Sequence, residues 1–241
     1  MLYGIILAAG ASKRYNYKEK KQFVKIKNKP ILSYSIEKFI NTKKIDKLII
    51  VLNNKDFDKD ANLCKDILKH YNNNLCFLVK GGKERYDSVF NALNFINDNY
   101  GIKSSDKIII HDAARPNVDV KDIFNLISKL KKYNSITLGY PLSDSIKEIN
   151  KSSNKNIVNI KKTINRKNYY LISTPQGFNL NLLFNSYNKF YKINNKEIYN
   201  ITDDTQIIEL FSKSKSYVLN SSRLNYKITL QDDLNMLKYI I

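Results

Sequence analysis

Apolar runs alternating with amphipathic segments constrain this chain more than any other feature of its sequence. The runs YGIILA from Tyr3, KLIIVL from Lys47, LCFLV from Leu75, KIIIH from Lys107 and SITLGY from Ser135 are apolar at consecutive positions, the mark of strands buried on both faces. Between them, ILSYSIEKFI from Ile31, ANLCKDILKHY from Ala61, SVFNALNFI from Ser88 and DIFNLISKLKKY from Asp122 repeat apolar residues at helical spacing. The two patterns satisfy each other if helices cover both faces of a parallel sheet, so a doubly wound α/β fold is expected. In such sheets ligands bind beyond the carboxyl ends of the strands, near the point where strand order reverses. Residues that directly follow strands are therefore the first candidates for function.

The pattern changes after Tyr140. From Ile146 to Tyr170 apolar and polar residues alternate on both sides of the turn-like SSNKN, which predicts a β-hairpin. A two-stranded hairpin this polar is marginal alone, so it is expected to project, over roughly residues 144–172, toward a partner surface. A helix over Leu180–Phe190, a helix starting near Asp203, the strand SYVLN from Ser216 and a last helix placing Leu234, Leu237 and Ile241 on one face complete the chain. With no internal repeat and no dividing linker, residues 1–241 read as a single domain.

Composition narrows the class. At 241 residues the chain can bury a core without staples. Its two cysteines, Cys64 and Cys76, fit neither a disulfide framework nor a zinc site. No apolar run approaches the roughly 18 residues of a membrane span, and the first residues read as a strand rather than a leader. An unprocessed cytoplasmic protein is expected, with no membrane partner. The formal charge of +19 is spread as Lys along the whole chain beside abundant Asn and Tyr. Without a zinc-finger spacing, an RNP-type aromatic pattern or a heptad, that spread argues against nucleic acid and suits a polyanionic small substrate.

Five groups carry candidate chemistry. LAAGASKR follows the first strand, and it lacks both the GxGxxG and the GxxxxGK[ST] spacing. Ala8, Ala9 and Gly10 can instead present backbone N–H groups to phosphates, with Arg14 and Lys21 as cations. In GGKERYDSV, Gly82 permits close approach to a ring or phosphate and Ser88 offers a hydroxyl; an ordinary strand-to-helix turn, with Glu84 or Asp87 on the helix dipole, is the alternative. HDAARP follows the fourth sheet strand. There His111 reads as structural, Asp112 suits a divalent metal or a ribose hydroxyl, and Arg115 suits a phosphate, unless Asp112 and Arg115 merely pair with each other. Thr202 is a candidate N-cap. Lys227, on a late and otherwise apolar strand, is hard to assign to the surface.

The ordered series LAAG…R…KKQF, GGxxRxxSV, HDAARP, DSIK, TPQGF, TDD and NYKIT resembles the 2-C-methyl-D-erythritol 4-phosphate cytidylyltransferases of non-mevalonate isoprenoid synthesis, from the first strand to the last helix. Pentitol-phosphate cytidylyltransferases, which use ribitol 5-phosphate for surface polymers, share most of these motifs; HDAARP, the Ser-Val pair and the Lys of DSIK lie nearer the isoprenoid branch. A basic nucleic-acid-binding module on the same fold is the alternative of another class.

The resemblance implies a Rossmann-like domain, a homodimer joined by the hairpin arm, CTP and a polyol phosphate as substrates, and Mg²⁺ held mainly through phosphates with Asp112 as the protein carboxylate in reach. It further implies that Arg14, Lys21 and Lys227 stabilise the reacting phosphates, and that Ala8, Ala9, Gly10, Gly82, Ser88 and Asp112 hold the nucleotide. Arg115, Ser145, Thr174 and Thr202 would line the acceptor side. Arg166 would reach the acceptor phosphate of the other subunit. Departures from the pattern are Lys83 and Asn165, where many relatives carry acids, and Ser145, where many carry Thr.

Overall fold

The computed structural model describes residues 1–10, 20–71, 75–150 and 157–240. In chain order the elements are β1 (Leu2–Ala8), β2 (Lys25–Ile26), β3 (Lys29–Pro30), α1 (Ile31–Asn41), β4 (Lys47–Leu52), α2 (Phe57–Leu68), β5 (Cys76–Lys80), α3 (Arg85–Tyr100) and β6 (Lys107–Asp112). They continue with α4 (Val120–Lys129), β7 (Ser135–Pro141), β8 (Ile146–Ile149), β9 (Ile160–Ile164), β10 (Tyr170–Asn179), α5 (Leu180–Tyr191), α6 (Asp204–Phe211), β11 (Tyr217–Asn220) and α7 (Gln231–Ile240). A single-turn 3₁₀ helix, Lys21–Phe23, precedes β2.

Seven strands form one sheet in the order β11-β7-β10-β6-β1-β4-β5. All neighbours are parallel except β10, which runs antiparallel between β6 and β7. The expected α/β fold is what the chain adopts. Consecutive apolar residues serve opposite faces: Ile6, Leu48 and Ile50 pack under α1, α2 and α4, while Ile5, Ile49 and Val51 pack under α3, α5 and α6. Fully buried Phe39, Phe178 and Phe190 anchor these layers, each burial contributing about 1.5–3 kcal/mol. The strand order reverses at β1, which pairs with β4 on one side and β6 on the other. Ala8 and Asp112 thus end adjacent strands at the switch point.

Several expectations change in detail. Lys227 lies on no strand: the segment is fastened by the Ile228 N–H, which donates to the Ala114 carbonyl at 2.8 Å, and forms no ladder. Asp203, not Thr202, caps α6, because its extended backbone lets the side chain accept from the Gln206 N–H; Thr202 instead donates through its N–H and hydroxyl to Gln206 Oε1. TPQGF belongs to β10, inside the sheet. The hairpin is present as β8 paired antiparallel with β9, in a sheet of its own, with Ile149, Ile157 and Ile160 exposed. Residues 151–156 of its turn, and Ile241 of the last helix, lie outside the described residues. Leu234 and Leu237 are buried as expected. Among the described residues no helix is long and apolar enough to cross a membrane.

Candidate active site

A cleft of about 240 Å³ opens where β1 and β6 end. Its floor is small because it has to be. A Cβ on Gly82 would sit 2.1 Å from Asp87 Cβ, and one on Gly81 2.6 Å from Ala9 Cβ. The Gly82 N–H donates to Ser88 Oγ at 3.1 Å, while that hydroxyl donates to the Glu84 carbonyl at 3.2 Å. Glu84 and Asp87 form a capping box at the start of α3, so the helix-dipole role and the loop-holding role coexist. Opposite, Gln22 Nε2 donates to the Ala8 carbonyl at 2.8 Å and Asn53 Nδ2 to the Ala9 carbonyl at 2.9 Å. With these carbonyls engaged, the Ala8–Gly10 turn is held open at the cleft.

The charged groups converge on Asp112. Lys227 Nζ donates to its Oδ2 at 2.6 Å, and Arg85 Nε donates to its Oδ1 at 3.3 Å. Burial pushes the Asp112 carboxyl upward, but Arg85 and Lys227 outweigh it and hold the group well below the usual carboxylate range. Arg85 is fixed in turn by fully buried Asp204, which accepts from Arg85 Nη2 at 2.8 Å and from the Tyr187 hydroxyl at 2.6 Å. Lys21 Nζ donates to the Ile228 carbonyl at 3.0 Å, beside Lys227, so two distant segments bring their ammonium groups to one wall.

His111 is structural. Its Nε2 faces the Arg115 carbonyl at 3.0 Å, so Nε2 carries the proton and Nδ1 accepts from the Thr174 hydroxyl at 3.0 Å. Thr174 Oγ1 accepts in turn from the Asp112 N–H at 3.0 Å. Burial lowers the His111 pKa to about 4, which keeps this relay neutral. Arg115 does not pair with Asp112 as the structural alternative supposed; its Nη1 donates to the Asn225 carbonyl at 2.8 Å, and its Nε is buried without a partner among the described residues.

Of the residues singled out from sequence, Ala8, Ala9, Gly10, Lys21, Gly82, Ser88, Asp112 and Lys227 line the cleft together. Thr174 and Arg115 stand behind its wall. Ser145, Arg166 and Thr202 are exposed outside it, and Arg14 lies outside the described residues. Asn165 caps the short turn that carries Arg166, accepting from the Lys167 N–H. Sequence reasoning missed Arg85, Gln22, Asn53 and Asp204. Arg85 and Gln22 sit inside motifs quoted for their neighbours, but no local spacing marks their partners, 119 and 14 positions away.

Among the described residues no group of three or more His, Cys, Asp or Glu side chains is arranged to hold a metal. Asp112 is the carboxylate that two cations meet in the cleft. This donor set would fit a divalent ion held mainly by substrate phosphates, with Asp112 as the protein carboxylate in reach.

Comparison with known proteins gives the family. The family model described as 2-C-methyl-D-erythritol 4-phosphate cytidylyltransferase matches residues 2–241. A protein of that name from Clostridium botulinum (strain ATCC 19397 / Type A) is 38% identical over 231 residues, covering 95% of this chain and 93% of the relative. Another, from Clostridioides difficile (strain 630), is 34% identical over 239 residues, covering 98% and 92%. The crystal structure of the Francisella tularensis enzyme of the same name superposes with a TM-score of 0.79 at 30% identity, covering 100% of this chain and 99% of that one. With residues 2–241 matched by the family model and relatives up to 38% identical over 95% of its length, the chain belongs to the 2-C-methyl-D-erythritol 4-phosphate cytidylyltransferase family.

Proposed function

We propose that this enzyme transfers the cytidylyl group of CTP to the phosphate of 2-C-methyl-D-erythritol 4-phosphate, releasing pyrophosphate and 4-diphosphocytidyl-2-C-methyl-D-erythritol. The observation that carries this reading is the meeting of Arg85 and Lys227 on one carboxylate at the switch point, with Lys21 lining the same cleft over a floor of Ala and Gly. An oxygen of the acceptor phosphate attacks the α-phosphorus in line, and the α–β phosphoanhydride bond breaks. Both reactants are anions, so the barrier is lowered by positioning and fixed positive charge rather than by a protein nucleophile. Ser88, which lines the cleft, is committed to the Gly82 loop and the Glu84 carbonyl and hydrogen-bonds to no side-chain base among the described residues, in keeping with that mechanism.

Ala8, Ala9 and Gly10 offer backbone N–H groups to the triphosphate, and Gly82 and Ser88 hold the edge where the cytosine lies. Lys21 and Arg14 stabilise the charge that develops on the α-phosphoryl oxygens. Lys227, oriented by Asp112, meets the attacking phosphate. Asp112 also serves the ribose, and Arg115, Ser145, Thr174 and Thr202 form the acceptor side. Mg²⁺ bound through the phosphates would neutralise the triphosphate and the departing pyrophosphate. The β8–β9 arm reaches a second copy of the chain, placing Arg166 at the acceptor phosphate of the partner's cleft. The exposed band of Tyr169, Tyr170, Leu171 and Ile172 beside it supports such a contact.

The test is pyrophosphate release from CTP and Mg²⁺ with methylerythritol 4-phosphate, ribitol 5-phosphate or no acceptor in parallel. Release with the first alone is expected. Release with ribitol 5-phosphate alone would overturn the acceptor assignment while keeping the chemistry.

A further inference from the structure

A second cavity, of about 930 Å³, lies between the first turn of α1, the exposed edge of α2 and the Lys21–Phe23 turn. It is larger than the catalytic cleft and within the size range of small-molecule sites. Nothing in the proposed reaction uses it.

Its lining selects for charge. The 11-residue helix α1 starts at Pro30 with no side chain capping its first turn, so the positive end of the helix opens toward the cavity. In that turn the Ile31 N–H is taken by the Val24 carbonyl, and Ser33, only 3% exposed, lines the cavity with a hydroxyl that hydrogen-bonds to no protein group among the described residues. The acids around it are already matched. Lys20 Nζ lies 2.6 Å from Asp60 and 2.8 Å from Asp56, Lys29 and the Tyr71 hydroxyl hold Glu37, and Lys69 holds Asp66 at 2.8 Å. Neither Lys25 nor Lys59 makes an ion pair among the described residues; the charge of Lys59 is felt by Asp56, which Lys20 already pairs at 2.8 Å. An entering oxyanion would therefore find a helix N-terminus, a buried hydroxyl and two ammonium groups. Phe23, Tyr71 and the 41%-exposed Leu63 supply apolar surface beside them.

The cavity also shares a wall with the catalytic cleft. Lys20 and Phe23 face the cavity, whereas Lys21 and Gln22, between them in sequence, face the cleft. The two sides of this one turn thus serve the cavity and the cleft.

We infer that this cavity is a regulatory site for a small molecule carrying one phosphate-type oxyanion on a flat or aliphatic body, and that its occupancy shifts the Lys20–Phe23 turn and with it Lys21. The binding half is independent of the proposed reaction; the coupling half rests on the role of Lys21 there.

Phenyl phosphate is a suitable probe, titrated calorimetrically into the protein saturated with CTP, with inorganic phosphate and phenol as separate arms. One saturable site is expected, tighter for phenyl phosphate than for either fragment. Ser33→Ala should weaken it about tenfold, the scale of one hydrogen bond to a charged group. Lys59→Ser, an exposed change that leaves the fold alone, should weaken it as well, while Lys227→Met should not. Bound probe should change kcat with the KM for CTP unaltered, and Ser33→Ala should abolish that effect. Absence of probe binding to the CTP-saturated protein, or sensitivity to Lys227→Met but not to Ser33→Ala or Lys59→Ser, would overturn the site. Binding without any change in kcat would overturn the coupling. Because the titration does not depend on turnover, failure of the site is distinguishable from failure of the proposed reaction.

Discussion

Lys227 Nζ and Asp112 Oδ2 meet at 2.6 Å across 115 positions of sequence, and Arg85 takes the other oxygen of the same carboxylate. Asp112 is thus a hub that aims two cations into the cleft. Its own charge is secured by them: burial alone would raise its pKa, and the paired cations reverse that.

Asp112→Asn and Lys227→Met are each expected to lower kcat by about 10²-fold or more, the scale of removing a preorganised electrostatic group. Since each acts through the other, the double variant should be little worse than either single one. Steady-state kinetics of the three variants decides this, and multiplicative losses would contradict the hub.

Lys21→Ala should cost about 10²-fold in kcat, with a smaller change in the KM for CTP, because its charge is needed most when negative charge concentrates on the α-phosphoryl oxygens. Arg14→Ala should behave alike. Near-normal turnover in both would remove them from the mechanism.

At Gly82 the backbone has no room for a side chain, since a Cβ would collide with Asp87 at 2.1 Å. Gly82→Ala is expected to displace the loop that Ser88 holds, raising the KM for CTP by about tenfold or more. Such overpacking costs about 1–3 kcal/mol, a fall of several degrees in Tm. Calorimetry beside the kinetics separates the two effects.

His111 gives stability a pH dependence of known sign. Burial lowers its pKa to about 4, from an unfolded value near 6.5. Between these values the unfolded chain binds a proton that the folded chain refuses, so stability is full above about pH 6.5 and falls as pH drops toward 4. The total is about 3 kcal/mol. Denaturant unfolding at pH 7 and pH 5 should show a larger drop for the native chain than for His111→Gln. Equal drops would place the titration elsewhere.

The arm makes a prediction about pairs of chains. Arg166→Ala and Lys227→Ala protomers, each inactive as homodimers, should form a heterodimer with one intact site if Arg166 acts across the interface. Tandem-affinity purification of the mixed dimer followed by pyrophosphate release checks it. Verified heterodimers without activity would place Arg166 in its own chain's cleft.

What the sequence determined by itself is the sheet and its ends. Uninterrupted apolar runs such as KLIIVL can be satisfied only between two helical layers, and the small residues at the end of β1 and the HDAARP segment at the end of β6 then fall at the switch point without further information. The hairpin, too, was legible, because strand alternation is a local signal. The tertiary structure alone decided which charges meet. Nothing near Arg85 says that its partners are Asp112 and Asp204, nothing near Lys227 says that its segment joins no sheet, and nothing near Ser33 says that a helix start opens on a cavity. Periodicity is written in neighbouring residues. Ion pairs between distant segments depend on how those segments pack, and so become readable only once the chain has folded.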